Sequence, residues 1–205
     1  MQFVGSGLFE TKQYEDAWYV KQAELAMKLR LGAPDEHILV AKGNLANSYE
    51  TAGRLEEAMR MRLENYFASL KLYGKESRET ISAAYNYSSG LINRKYMHRL
   101  KEARSLLRST IPVARRVLGE NDQLTLKLRW NDARALAGDP GSTLDDIREA
   151  MTMLEDLTRI TRRVFGSAHP LVALCEDSLR LVRKKLGASE TPSASAQIHK
   201  VIGTN

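Results

Sequence analysis

The stretch Asn44-Leu45-Ala46-Asn47-Ser48-Tyr49-Glu50-Thr51-Ala52-Gly53-Arg54-Leu55-Glu56-Glu57-Ala58, with Gly74 sixteen residues beyond it, decides the fold because the chain repeats it. Asn44 follows Gly32 by twelve residues, Asn86 follows Gly74 by twelve, and Asn131 follows Gly119 by twelve. Ala58, Ala103 and Ala150 each precede a glycine (Gly74, Gly119, Gly166) by sixteen. Only the middle interval, from Asn to Ala, changes: fourteen, then seventeen, then nineteen residues. Two fixed segments around a variable one describe two helices joined by a turn that tolerates length changes. The fold class that follows is all-α: an α-solenoid of antiparallel helix pairs with a period of 42 to 47 residues.

The boundaries between repeats carry helix punctuation. Basic residues fill the last turn (Arg30; Lys71; Arg115 and Arg116; Arg162 and Arg163), where they oppose the negative end of the helix dipole. A glycine follows each time, suited to the left-handed conformation that ends a helix. Three residues later stand Asp35, Ser77, Asp122 and His169, of which the first three are good N-caps, and Pro170 fits a first helical position. First helices are expected over Glu36–Ala52, Arg78–Lys95 and Gln123–Ala137, and second helices over Leu55–Tyr73, Leu100–Leu118 and Leu144–Phe165. Small residues mark close crossings: Ala46, Ser88 and Ala133 on the first helices, Ala58, Ala103 and Ala150 on the second. The chain divides into an incomplete first repeat at 1–32, repeats at 33–74, 75–119 and 120–166, a C-terminal capping helix at 167–186, and a disordered tail at 187–205.

Composition excludes several classes. With 43% hydrophobic and 27% charged residues the chain reads as globular, and no run approaches eighteen apolar residues, so no membrane span is expected. The start, Met1-Gln2-Phe3-Val4-Gly5-Ser6-Gly7, has no basic or apolar leader region, so a cytoplasmic location is expected. His37, His98, His169 and His199 lie at no metal-ligand spacing, and the lone Cys175 sits in the apolar run Leu171-Val172-Ala173-Leu174-Cys175 as a small hydrophobe. Acidic residues gather at helix starts, where they offset the dipole. No glycine-rich phosphate loop occurs. Neither an enzyme nor a cofactor nor a metal site is expected.

The pattern Asn-Leu-Ala-x-x-Tyr, then Gly, then Leu-Glu-Glu-Ala in Asn44 to Ala58 resembles the tetratricopeptide repeat. With the longer period and boundaries such as Phe165-Gly166-Ser167-Ala168-His169-Pro170, it is similar to the kinesin light chain subtype. The resemblance spans about residues 3 to 186. It implies a right-handed superhelix whose first helices line a concave groove that binds peptide segments, with the repeated Asn bonding the peptide backbone. Three positions depart from the pattern: Arg62 stands where an aromatic is usual, Asn65 where Ala is usual, and Asp132 where Leu or Tyr is usual.

Asn44, Asn47, Tyr85, Asn86, Ser89, Lys127, Trp130, Asn131 and Arg134 are therefore the candidate peptide-binding residues of a protein-interaction scaffold. Two readings stand for Asn44, Asn86 and Asn131, which either meet a peptide or satisfy neighbouring backbone. Lys127, Arg134 and an exposed Trp130 would suit an acidic peptide with an aromatic or apolar anchor; the other reading packs Trp130 against the previous repeat. From Arg99 to Arg134 nine Lys and Arg face four Asp and Glu, which frames a lesser alternative, a basic surface for a phosphate-rich partner such as RNA. A third is self-association through the N-terminal repeat, whose apolar face (Val4, Leu8, Tyr14) lacks a preceding repeat to cover it.

Overall fold

The computed structural model describes residues 18–190. Helix α1 occupies 18–30. Then come α2 (Asp35–Thr51), α3 (Leu55–Tyr73), α4 (Arg78–Leu91), a 3-10 segment (Arg94–Arg99), α5 (Leu100–Leu118), α6 (Gln123–Gly138), α7 (Leu144–Phe165) and α8 (Pro170–Glu190). No strand occurs among the described residues. Each helix packs on the next, and α4–α6 and α6–α8 also touch, so the first helices of successive pairs form one layer backed by α3, α5 and α7. This is the α-solenoid of antiparallel pairs that the repeat spacing predicts.

No single core exists. Small clusters recur along the stack, one shared by α1, α2 and α3 (Leu25, Leu45, Ala58), one by α4, α5 and α6 (Ile81, Leu107, Leu128), and one by α6, α7 and α8 (Leu136, Leu154, Cys175). Each fully buried leucine contributes about 1.5–3 kcal/mol of transfer free energy. The expected crossing residues are closed in, with Ala46, Ala58, Ser88, Ala103, Ala133 and Ala150 all buried.

The boundary chemistry is largely as read. Gly32, Gly74, Gly119 and Gly166 all have positive φ, from 62° to 98°. Ser77 accepts a bond from the Thr80 N–H and Asp122 from the Leu124 N–H. Asp35 differs: Pro34 holds the N-cap position without a side-chain bond, and Asp35 is the first helical residue, where its charge faces the dipole. His169 takes the capping role at α8, its Nδ1 accepting from the Leu171 N–H at 3.1 Å. A capping box at α7, Thr143 with Asp146, was not anticipated.

Two helix ends differ from expectation. The first helix expected to reach Lys95 stops at Leu91, because Asn93 Oδ1 accepts from the Lys95 N–H and its carbonyl from the Tyr96 N–H, turning the chain. That turn buries Tyr96 against Leu91 and Leu100. Helix α8 runs through Gly187 to Glu190, past the expected end at Leu186 and into the segment expected to be disordered; Gly187 is not among the positive-φ glycines. The expected N-terminal apolar face at Val4, Leu8 and Tyr14 and the rest of the tail, 191–205, lie outside the described residues.

Candidate functional site

The inner layer carries a cavity of about 490 Å³ between α2, α4 and α6. Asn44 and Asn47 of α2, Ser82 and Asn86 of α4, and Lys127 of α6 line it. Their convergence follows from helix geometry: 40, 43, 44 and 47 on α2, and 78, 79, 82 and 86 on α4, each mark one stripe of a helix. Asn44 and Asn47 are exposed and Asn86 is half-buried. Lys127 extends over the Tyr85 ring, its Nζ 5.6 Å from the ring centroid, so Tyr85 supports the cation from beside the cavity.

Asn47 is held from behind. Arg62 of α3 is buried, and its Nη2 donates to Asn47 Oδ1 at 3.0 Å and to a Glu50 carboxylate oxygen. With its oxygen engaged, Asn47 has its amide N–H groups left for the groove. The residue that breaks the repeat pattern thus orients a groove side chain and offsets the charge of Glu50. Gly90 makes room for it; a Cβ there would meet Arg62 Nη1 and Met59 Cε, each at 3.1 Å. Asn65, the second departure, donates to the Leu39 carbonyl at 3.1 Å and lines the same cavity. Asp132, the third, lies 3.9 Å from Arg104, and burial raises its carboxyl above the ordinary value despite Arg104 and Arg108 nearby.

The C-terminal half of the layer presents fewer of the candidate side chains. Asn131 is buried, not presented: its Nδ2 donates to Ser88 Oγ at 3.1 Å and Ser89 Oγ at 2.8 Å, tying α6 to α4. Ser89 is thereby engaged within the scaffold. Trp130 is also buried rather than exposed, its Nε1 donating to Ser178 Oγ of α8 at 2.9 Å. Arg134 stacks on Trp130 at 4.4 Å, and burial lowers its pKa. Of the nine candidates, four line the cavity (Asn44, Asn47, Asn86, Lys127), Tyr85 supports one of them, Ser89, Trp130 and Asn131 bond between helices, and Arg134 contacts Trp130 and Asn131 within α6.

Arg78 and Gln123 also line the cavity and were missed, although they stand four residues before Ser82 and Lys127, a helical spacing that would have found them. The basic run of α5 is interleaved with carboxylates: Arg104 lies near Asp132, Arg115 pairs with Glu120, and Arg116 with Glu76. Among the described residues no helix is long and apolar enough to cross a membrane, and no group of three His, Cys, Asp or Glu side chains is placed to hold a metal.

Residues 142–171 match the tetratricopeptide repeat family model. No curated protein matches the chain by sequence. Among solved structures, the nearly identical TPR-like repeats of a Podosopora anserina protein described as a kinesin light chain superpose with a TM-score of 0.65 at 18% identity, covering 87% of this chain and 82% of that one. A single-substitution form of the same repeats gives 0.67 at 17% identity, covering 87% and 81%. BtubC (BKLC) from P. vanneervenii gives 0.67 at 16% identity, covering 94% of this chain and 76% of that one. Residues 142–171 are thus similar to a tetratricopeptide repeat, and the described helices share the solenoid fold of kinesin light chain-like repeats.

Proposed function

We propose that the protein is an interaction scaffold that binds an extended peptide along the α2–α4–α6 face. The observation that carries this reading is the convergence of Asn44, Asn47, Asn86 and Lys127 on one open cavity of about 490 Å³. Three amides provide donors and acceptors for a peptide backbone, and Lys127 provides a cation for an acidic side chain. The tetratricopeptide fold supports the reading, because such repeats stack into extended concave surfaces. The carboxylates paired along α5 weigh against a phosphate-rich partner there.

The test is panning of random short peptides on the protein, followed by fluorescence anisotropy with a selected peptide. Asn86→Ala lowers affinity about three- to tenfold, the value of one backbone hydrogen bond, without changing the melting temperature. Lys127→Glu weakens acidic peptides more than neutral ones, and the difference shrinks as salt rises. Selected peptides that bind both variants as tightly as the parent protein refute the groove.

A further inference from the structure

A second cavity of about 310 Å³ lies at the other end of the inner layer, where α4, α5, α6 and α8 meet. Its walls are mainly apolar, formed by Ile92, Leu100, Ala137, Leu181 and Val182, and Lys185 lines it as well, with its Nζ donating to the Ala137 carbonyl at 2.6 Å. Arg134 lines it too, and the guanidinium is the feature that needs an explanation. Its partners are the Trp130 ring and a long bond, 3.4 Å, to Asn131 Oδ1. No carboxylate among the described residues pairs with it, whereas most arginines on this chain have one within 4 Å, such as Arg62, Arg99, Arg104, Arg129 and Arg162. A half-buried cation without a counter-charge is less favourable than a paired one, and an anion entering the cavity would relieve it. Ser178 accepts from Trp130 and keeps its own hydroxyl hydrogen to donate, giving the cavity a second donor.

Among the described residues the cavity therefore holds no carboxylate, and its walls are mainly apolar. It also lacks what a peptide backbone would need. In the α2–α4 half the repeated Asn lines the groove, but here Asn131 is spent on Ser88 and Ser89, and the matching position on α8 is Ser178, bound to Trp130. A ligand in this place is held by its end group and its apolar body, not by main-chain bonds. We infer that the cavity is a binding site for a compact amphipathic carboxylate, a free aliphatic or aromatic acid, whose carboxylate meets Arg134 and Ser178 and whose apolar part lies against Leu100, Leu181 and Val182. The site is separate from the peptide face, and neither assignment depends on the other.

Octanoate is the probe, with octanamide and octylamine as controls of the same length. The chain has two tryptophans, Trp18 and Trp130, so the Trp130 indole N–H signal is identified in a proton–nitrogen correlation spectrum by Trp18→Phe. Octanoate shifts that signal saturably, and octanamide and octylamine bind at least about tenfold more weakly. Arg134→Met abolishes the preference for octanoate over octanamide, and Arg134→Lys restores part of it. Because Arg134 packs on Trp130, Leu181→Asp serves as a second variant. Leu181 is 69% exposed, so the change spares the core and sets a repelling carboxylate at the rim, weakening octanoate at least tenfold. Equal binding of acid and amide, an unmoved Trp130 signal, or octanoate binding unchanged by both variants overturns the proposal. So does an acidic peptide that shifts Trp130 where octanoate does not.

Discussion

Two perturbations of similar size should have very different effects if the variable turn and the fixed crossing are what the repeat spacing says. Ala103 is fully buried at the start of α5. Ala103→Leu adds three carbons where no free space exists. Overpacking of this kind costs about 1–3 kcal/mol. For a chain of this size that lowers the melting temperature by about 2–4 °C per kcal/mol. The contrasting change inserts Gly-Ser after Pro140, in the turn between α6 and α7. That turn spans 139–143, so the insertion lengthens it from five residues to seven. Loop-closure entropy rises by (3/2)RT ln(7/5), about 0.3 kcal/mol. The insertion leaves the Thr143–Asp146 capping box intact and disturbs the small turn in which the Gly141 N–H donates to Asp139 Oδ1 and Ser142 donates to the Asp139 and Leu136 carbonyls. Urea unfolding of both variants measures the difference. Equal losses of midpoint stability would refute the assignment of fixed crossings and tolerant turns, because the insertion would then have broken packing it is not supposed to touch.

Further outcomes follow from single groups. Thr143→Ala removes the N-cap of α7 and should cost about 0.5–2 kcal/mol, read by thermal melting. Cys175 is fully buried and burial pushes its thiol up to about 11, so iodoacetamide at pH 8 should leave the native protein unmodified and label it only when urea is added. The raised carboxyl of Asp132 means the native state holds that proton more tightly than the unfolded chain. Stability from this residue is therefore retained below its unfolded pKa and falls as pH rises toward the folded value. Asp132→Asn should raise the melting temperature at pH 7, and the gain should disappear near pH 3; a lower melting temperature at pH 7 would show that its attraction to Arg104 outweighs burial.

The repeat was legible because it depends on local rules applied several times. Gly74, Gly119 and Gly166 have the positive φ that a helix end needs, and Leu55–Tyr73, Leu100–Leu118 and Leu144–Phe165 begin and end as read. Errors arose where a side chain competed with the helix, as at Asn93, or where a glycine stayed helical, as at Gly187. The candidate site was legible by stripe but not by depth. Equivalent positions Asn44 and Asn131 share a register, yet one is exposed and the other buried, with Ser88 and Ser89 of α4 against the latter. Which face a residue shares is a property of one helix; what covers it depends on its neighbours. The second cavity left no sequence signal, since Ile92, Leu100 and Val182 carry the same periodicity as core residues.

The arginine that passes from α3 to the inner layer has a consequence for how such a chain can change over generations. Arg62 and Gly90 occupy adjoining space, and Asn47 with Glu50 holds the far end of the guanidinium. These positions are inherited as a set. A larger side chain at 90 requires Arg62 Nη1 and Met59 Cε to shift, and loss of Arg62 leaves Glu50 without its ion-pair partner on the inner layer. An exchange of this arrangement for the usual aromatic at 62 therefore changes the space open to a side chain at 90. Related sequences should therefore show the two positions varying together, with long cationic side chains at 62 confined to those that keep glycine at 90.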